Sequence, residues 1–192
     1  MNLVSHNLTL DEIGFVVNSV VAKLGGKKEA RRFICEKVIL GSVKIGTGLN
    51  ADGFRMALRR KGFRISDRAN EMLGNLAFTV ASEGTEVDLI DISVGELGCT
   101  GGARYKEICL RGLERGFRLC PAEVAPQTCL QIGQSINGPL RFAMEAIADS
   151  NGDPGIFMID RDGHDLWLGH DRGGDNDFHF PGRRFAFELP RK

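Results

Sequence analysis

No run of apolar residues in this chain approaches the roughly 20 that a membrane-crossing helix needs. The opening Met1-Asn2-Leu3-Val4-Ser5-His6-Asn7 has no basic region followed by a long apolar stretch, which speaks against a secretory signal. Cysteine is scarce and unpatterned. Cys35, Cys99, Cys109, Cys120 and Cys129 are odd in number, include no Cys-x-x-Cys and match no structural zinc spacing. These absences predict reduced, buried thiols in a cytoplasmic protein that needs no disulfide staples. Gly-x-Ser-x-Gly is also missing, and no cysteine sits in a motif that would lower its pKa. Nucleophilic catalysis therefore has no sequence signature, and the reading leans away from an enzyme.

Net charge is zero over 192 residues, but the balance is local. The first 75 residues carry thirteen Lys and Arg against seven Asp and Glu, and the remainder carries the matching acidic excess. Such asymmetry points to an anionic partner for the N-terminal half, to one half docking on the other, or to an oligomer contact. The length sustains a sizeable core. The organisation expected is a helical arm with a glycine-rich loop over residues 1–49 and an α+β domain over residues 50–192, the two together forming one domain or an arm and a body.

Helix signals dominate the first half. Thr9 and Glu12 form a capping box ahead of Leu10, Ile13, Val16, Val17, Val20, Val21 and Leu24, an apolar stripe that ends at Gly25-Gly26. A second helix is read from Lys27 to about Val38, and this hairpin is either packed on its own domain or a surface for homo-oligomers. Gly41 to Leu49 is expected to be a loop or short hairpin. It completes neither a Walker loop nor Gly-x-Gly-x-x-Gly, because Lys44 precedes the second glycine and Ala51 occupies the last position. Asn50 then caps Ala51–Lys61, and Ser66 caps Asp67–Leu73. A longer helix is read over 100–115, with Thr100 as its cap and Gly116 as its stop.

Strand signals follow: Phe78-Thr79-Val80, Glu86 to Ser93, Cys129 to Ile132, Leu140 to Ile147, Ile156 to Ile159, Leu166 to Leu168 and Arg183 to Leu189. Marked turns separate them, including Asn137-Gly138-Pro139 and Asp160-Arg161-Asp162-Gly163. The fold class expected is α+β, with N-terminal helices followed by a C-terminal antiparallel β-meander.

The two halves meet at Leu119-Cys120-Pro121-Ala122-Glu123-Val124-Ala125-Pro126-Gln127, read as a non-helical hinge because Pro121 and Pro126 disfavour helix. Glu123, its one charge, is either a partner for nearby backbone N–H groups, a site carboxylate or simply exposed. This junction resembles that of a family of uncharacterised bacterial proteins. The resemblance continues in Phe63–Asp67, Val87–Leu89, Ser93–Gly98, Ala143–Glu145, Asp149–Gly152, Trp167-Leu168 and Phe185–Lys192, and so covers roughly Phe54 onward. It implies no activity, because the family brings none with it. Thr128-Cys129 stands where the family has Leu-Arg, and the histidines lie outside the shared pattern, so a site built on them is peculiar to this chain.

Two candidate sites emerge. Arg55, Arg59, Arg60, Lys61, Arg64 and Arg68 surround a helical pair, and their charge suits phosphate contact. The first reading of function is thus a binding or interaction module that meets nucleic acid or an acidic protein surface, with no cofactor. The alternative is a metal-dependent hydrolase. His170, Asp171, Asp175, Asp177 and His179 offer imidazole and carboxylate ligands to a divalent transition metal if Arg172-Gly173-Gly174 turns tightly. Asp149-x-Asn151-x-Asp153 starts a calcium-loop spacing but has Pro154 where glycine is needed.

Overall fold

Most elements among the described residues either build one curled sheet or cover it. The protein's structure is a computed structural model that describes residues 39–191. The elements run β1 (Ile39–Ile45), α1 (Ala51–Arg60), β2 (Phe63–Ile65), α2 (Asp67–Gly74), β3 (Thr85–Ser93), β4 (Ala103–Arg104), α3 (Tyr105–Glu114) and α4 (Val124–Gln131). There follow β5 (Leu140–Phe142), β6 (Ile147–Ala148), β7 (Pro154–Asp162), β8 (Asp165–Arg172), β9 (Phe178–His179) and β10 (Arg184–Leu189). The sheet order is β1-β3-β10-β5-β7-β8-β2, with β6 also paired to β7, while β4 and β9 form a separate small ladder.

The sheet is mixed. β10 lies antiparallel to β3 and parallel to β5, and β2 runs parallel to β8. Its middle is the driest part: Phe185, Ala186 and Phe187 on β10 are fully buried, as are Leu89 and Ile92 on β3. Each buried phenylalanine contributes about 1.5–3 kcal/mol. Helix α3 lies directly on Phe187, and Gly112 makes this possible, since a methyl group there would overlap the ring. The lone tyrosine, Tyr105, is buried beside Phe185, and its hydroxyl donates to the Met144 carbonyl at 2.5 Å and accepts the Met144 N–H at 2.9 Å. Helix α4 touches β1 as well as β7 and β8, so the curl brings opposite ends of the sheet to one helix. That explains why α4 is buried from Val124 to Cys129, its polar Gln127 and Thr128 included.

Side chains of α4 stitch it to the strand beside it. The buried Glu123 carboxylate accepts the N–H of Gly46 at 2.9 Å, that of Ala81 at 2.8 Å and the Gln127 amide at 3.0 Å. Gln127 donates to Thr47 as well, and Gln131 bonds the Lys44 main chain. Gly46 has φ +67° and passes tightly against the Glu83 carbonyl, which only glycine allows. Of the three readings of Glu123, the backbone-anchoring one is what the structure contains.

The expected order of N-terminal helices followed by an antiparallel meander is wrong. Helices alternate with strands, and two of the sheet's pairings are parallel. Residues 41–45, expected as a loop or short hairpin, belong to strand β1, which pairs with β3 and is bulged near Gly41. Residues 129–131, expected in a strand, belong to α4. Pro126 does not stop that helix because it falls in the first turn, where backbone N–H groups have no helical acceptor anyway. Helix α3 starts at Tyr105, not after Thr100, and Phe78-Thr79-Val80 is not a strand. The capping box at Thr9 and the helices read over 9–38 lie outside the described residues.

Candidate functional site

Ser66 sets the geometry at one end of the molecule. As N-cap of α2 it accepts the Ala69 N–H at 3.3 Å, while its own N–H donates to the Leu168 carbonyl at 3.1 Å and so ties the helix start to β8. Arg68, in the first turn of α2, then faces Asp149 at 3.5 Å. Asp149 is itself held in place, because its Oδ1 accepts the N–H groups of Asn151 and Asp153 at 2.9 and 3.0 Å. The broken calcium-loop spacing is thus an aspartate-closed turn.

Across from α2, the end of β8 presents His170, Asp171 and Arg172. The next segment docks on the start of α3: the Tyr105 N–H donates to the Asp177 carbonyl at 2.8 Å, and Lys106 Nζ lies 3.4 Å from the Asp175 carboxylate. Between these walls lies a cleft of about 510 Å³. It is lined by Arg68, Met72, Asp149, Asp153, His170, Asp171, Arg172, Asp175 and Asp177, with Pro154 and Gly155 as floor.

Charge around the cleft is mostly matched in pairs. Arg68 meets Asp149, Asp175 meets Lys106, and Asp171 meets Arg141 at 2.5 Å. Arg141 is only 2% exposed, so the last pair works in a low-dielectric setting. Burial alone would raise the Asp171 carboxyl, but the Arg141 guanidinium and the Arg172 amide outweigh it and hold it below the usual carboxylate range. Burial, and then the Arg68 charge, push the His170 imidazole below its ordinary value against the pull of Asp171, Asp149 and Glu71. The imidazole is thereby biased toward its neutral form. Three lining groups keep charge that no ion pair with a described residue balances: Arg172, Asp153 and Asp177. Asp177 also accepts the Gly174 N–H at 2.8 Å.

The two residue sets read from the sequence are split and recombined here. Arg68 of the basic set joins His170, Asp171, Asp175 and Asp177 around this one cleft. Arg55 turns away, clasping Asn70 through Nε at 2.6 Å and Asp52 at 2.7 Å, and so joins α1 to α2. Arg64 pairs with Asp165 at 3.0 Å and lies over the Trp167 ring at 5.5 Å. Arg59, Arg60 and Lys61 are exposed at the far end of α1. Among the described residues, no three His, Cys, Asp or Glu side chains converge as a metal ligand set.

His179 does not line the cleft. It is buried on β9, with its ring 5.2 Å from Phe185 and 6.0 Å from Tyr105, and its Nε2 has no hydrogen-bond partner among the described residues. Burial pushes its pKa down, against the pull of Asp171. Sequence reasoning missed Arg172 and Asp153 as site residues, and saw Ser66 only as a helix cap. The Asp149-x-Asn151-x-Asp153 spacing was the one signal that this turn was ordered. Comparison of the chain with protein-family models, curated proteins and solved structures finds no match.

Proposed function

We propose that this chain is a binding module whose site is the cleft between α2 and the end of β8, and that it takes a small polar ligand with cationic or zwitterionic character. The carrying observation is the charge left over around the cavity. With Arg68, Asp149, Asp171 and Asp175 already matched, Asp153 and Asp177 line the cleft without an ion pair to a described residue, and Arg172 stands opposite in sign. A ligand bearing an ammonium or guanidinium group balances the two carboxylates, and a carboxylate on the same ligand suits Arg172. A cavity of about 510 Å³ is in the usual range for small-molecule sites. The basic helical pair supports an anionic macromolecule less well, since Arg55, Arg64 and Arg68 each already face a carboxylate.

Among the described residues no helix is long and apolar enough to cross a membrane. Cys99, Cys109, Cys120 and Cys129 are free thiols, which supports placing the protein in a reducing compartment such as the cytoplasm.

Calorimetric titration with putrescine, arginine, glutamate, inorganic phosphate and Mn²⁺ tests this reading. Saturable binding of putrescine or arginine, weakened at least tenfold by Asp153→Asn, is expected. Binding of phosphate alone, or of none of the five, overturns it, and stoichiometric Mn²⁺ uptake lost in His170→Gln favours the metal-dependent alternative.

A further inference from the structure

His170 separates the cleft from a second cavity of about 300 Å³, whose wall includes Ser66, Met158, Trp167 and Gly169. On that dividing wall, Ser66 Oγ lies 3.5 Å from His170 Nδ1. The backbone fixes both residues. The bond from the Ser66 N–H to the Leu168 carbonyl extends the β2–β8 ladder, so Ser66 is anchored to β8 at Leu168, two residues before His170. Capping uses a lone pair of the Ser66 oxygen, which accepts the Ala69 N–H, and leaves the hydroxyl proton to be donated. A neutral imidazole with its proton on Nε2 has Nδ1 as the acceptor. A separation of 3.5 Å is longer than a well-formed hydrogen bond, and catalytic pairs without substrate are often this loose.

We propose that Ser66 and His170 are a nucleophile and its general base, and that they hydrolyse small carboxylic esters seated against Met158 and Trp167. Ser66 Oγ attacks the ester carbonyl while its proton passes to His170 Nδ1. The bond to the leaving alcohol then breaks, and His170 returns the proton to that oxygen. Water, deprotonated by the same Nδ1, attacks the acyl-Ser66 carbonyl; the bond from that carbon to Ser66 Oγ breaks, Oγ takes the proton back from Nδ1 and the acid leaves, so one ester and one water give one acid and one alcohol. The amides of Asp67 and Arg68 open α2, have no acceptor within the helix and lie at its positive end, where negative charge on the carbonyl oxygen is stabilised. This activity does not rest on the ligand proposed for the cleft, which lies on the other side of His170.

The full chain treated with a fluorophosphonate probe and with p-nitrophenyl acetate provides the test. Peptide mapping is expected to place a single adduct on Ser66. His170→Gln is expected to slow adduct formation about 100-fold or more, the usual worth of a positioned base. Ser66→Asn keeps a capping side chain while removing the nucleophile, and is expected to melt as the parent does and take no adduct. An unlabelled Ser66, an adduct elsewhere, or an unchanged rate in His170→Gln overturns the proposal. Mapping of the parent and the His170→Gln rate decide the matter even where Ser66→Asn does not fold.

Discussion

Gln131 holds Lys44 by both of its main-chain groups, accepting the Lys44 N–H at 2.9 Å and donating to the Lys44 carbonyl at 2.8 Å. That is the pattern a neighbouring strand would supply, delivered here by a side-chain amide of α4. Among the described residues β1 pairs with β3 alone, and a strand edge left open invites pairing with other chains. We expect Gln131→Ala to keep the fold but to increase self-association on concentration. Light scattering of the variant against the parent at equal concentration checks this, and equal scattering would show that Gln131 does not guard the edge.

Glu123 anchors three segments through one carboxylate. Glu123→Ala would leave the part-buried Gly46 and Ala81 amides without this acceptor, and would leave the Gln127 amide with only its bond to Thr47. At about 1–3 kcal/mol for each orphaned group, a loss of about 3 kcal/mol or more is expected, seen as a fall in melting temperature of roughly 6–12 °C. Glu123→Gln is expected to restore only part of this, because its NH₂ group meets donors. Thermal melts of both variants test the ordering.

The Arg141–Asp171 pair should respond asymmetrically. Asp171→Asn leaves a fully buried guanidinium without its counter-charge and is expected to cost about 3–5 kcal/mol. Replacing both, as Arg141→Met with Asp171→Leu, is expected to cost less than Asp171→Asn alone. Urea denaturation of the set measures it, and a double variant less stable than the single one would contradict a desolvation-dominated pair.

Acid should loosen the protein before its carboxylates protonate. His170 and His179 have folded pKa values below their unfolded value of 6.5, so the unfolded chain binds protons first as pH falls. Their contribution is complete above about pH 6.5 and is lost as pH falls from there towards the folded values. Glu188, raised above its ordinary 4.5 by burial, acts with the opposite sign and loses stability as pH rises through its folded value. Two imidazoles against one carboxyl give a net decline between pH 7 and 5. His179→Phe, which suits the rings of Tyr105 and Phe185, is expected to flatten that decline in melting temperature.

Cys120 and Cys129 are buried, and burial pushes both thiols up, well away from the reactive thiolate. Mapping with a bulky disulfide reagent is expected to label neither in native protein and both after denaturation. Rapid native labelling would place them at the surface.

Local chemistry was legible in the sequence and pairing was not. Asn50 and Ser66 cap the helices that they were expected to cap, through bonds to Gly53 and Ala69. The alternation in Glu86–Ser93 and the apolar run ending at Leu189 are strands. Nothing within Arg184–Leu189, however, states that it lies beside residues some 45 and 100 positions earlier. Pro126 misled because a proline is read as a breaker wherever it stands, while its cost depends on the turn it occupies. The site was half legible in the same way. Arg68 and the His170–Asp177 segment each stood out, but a hundred residues separate them, and only the parallel β2–β8 pairing brings them together.

The position of β10 has a consequence for synthesis. Until Arg184–Leu189 have left the ribosome, β3 and β5 have no common neighbour, and the two portions of the sheet cannot be joined. A nascent chain arrested before that point exposes two bare strand edges at the place that later becomes the driest part of the core. Such edges are what holding chaperones and proteases recognise, and joining the two portions through β10 is a long-range step.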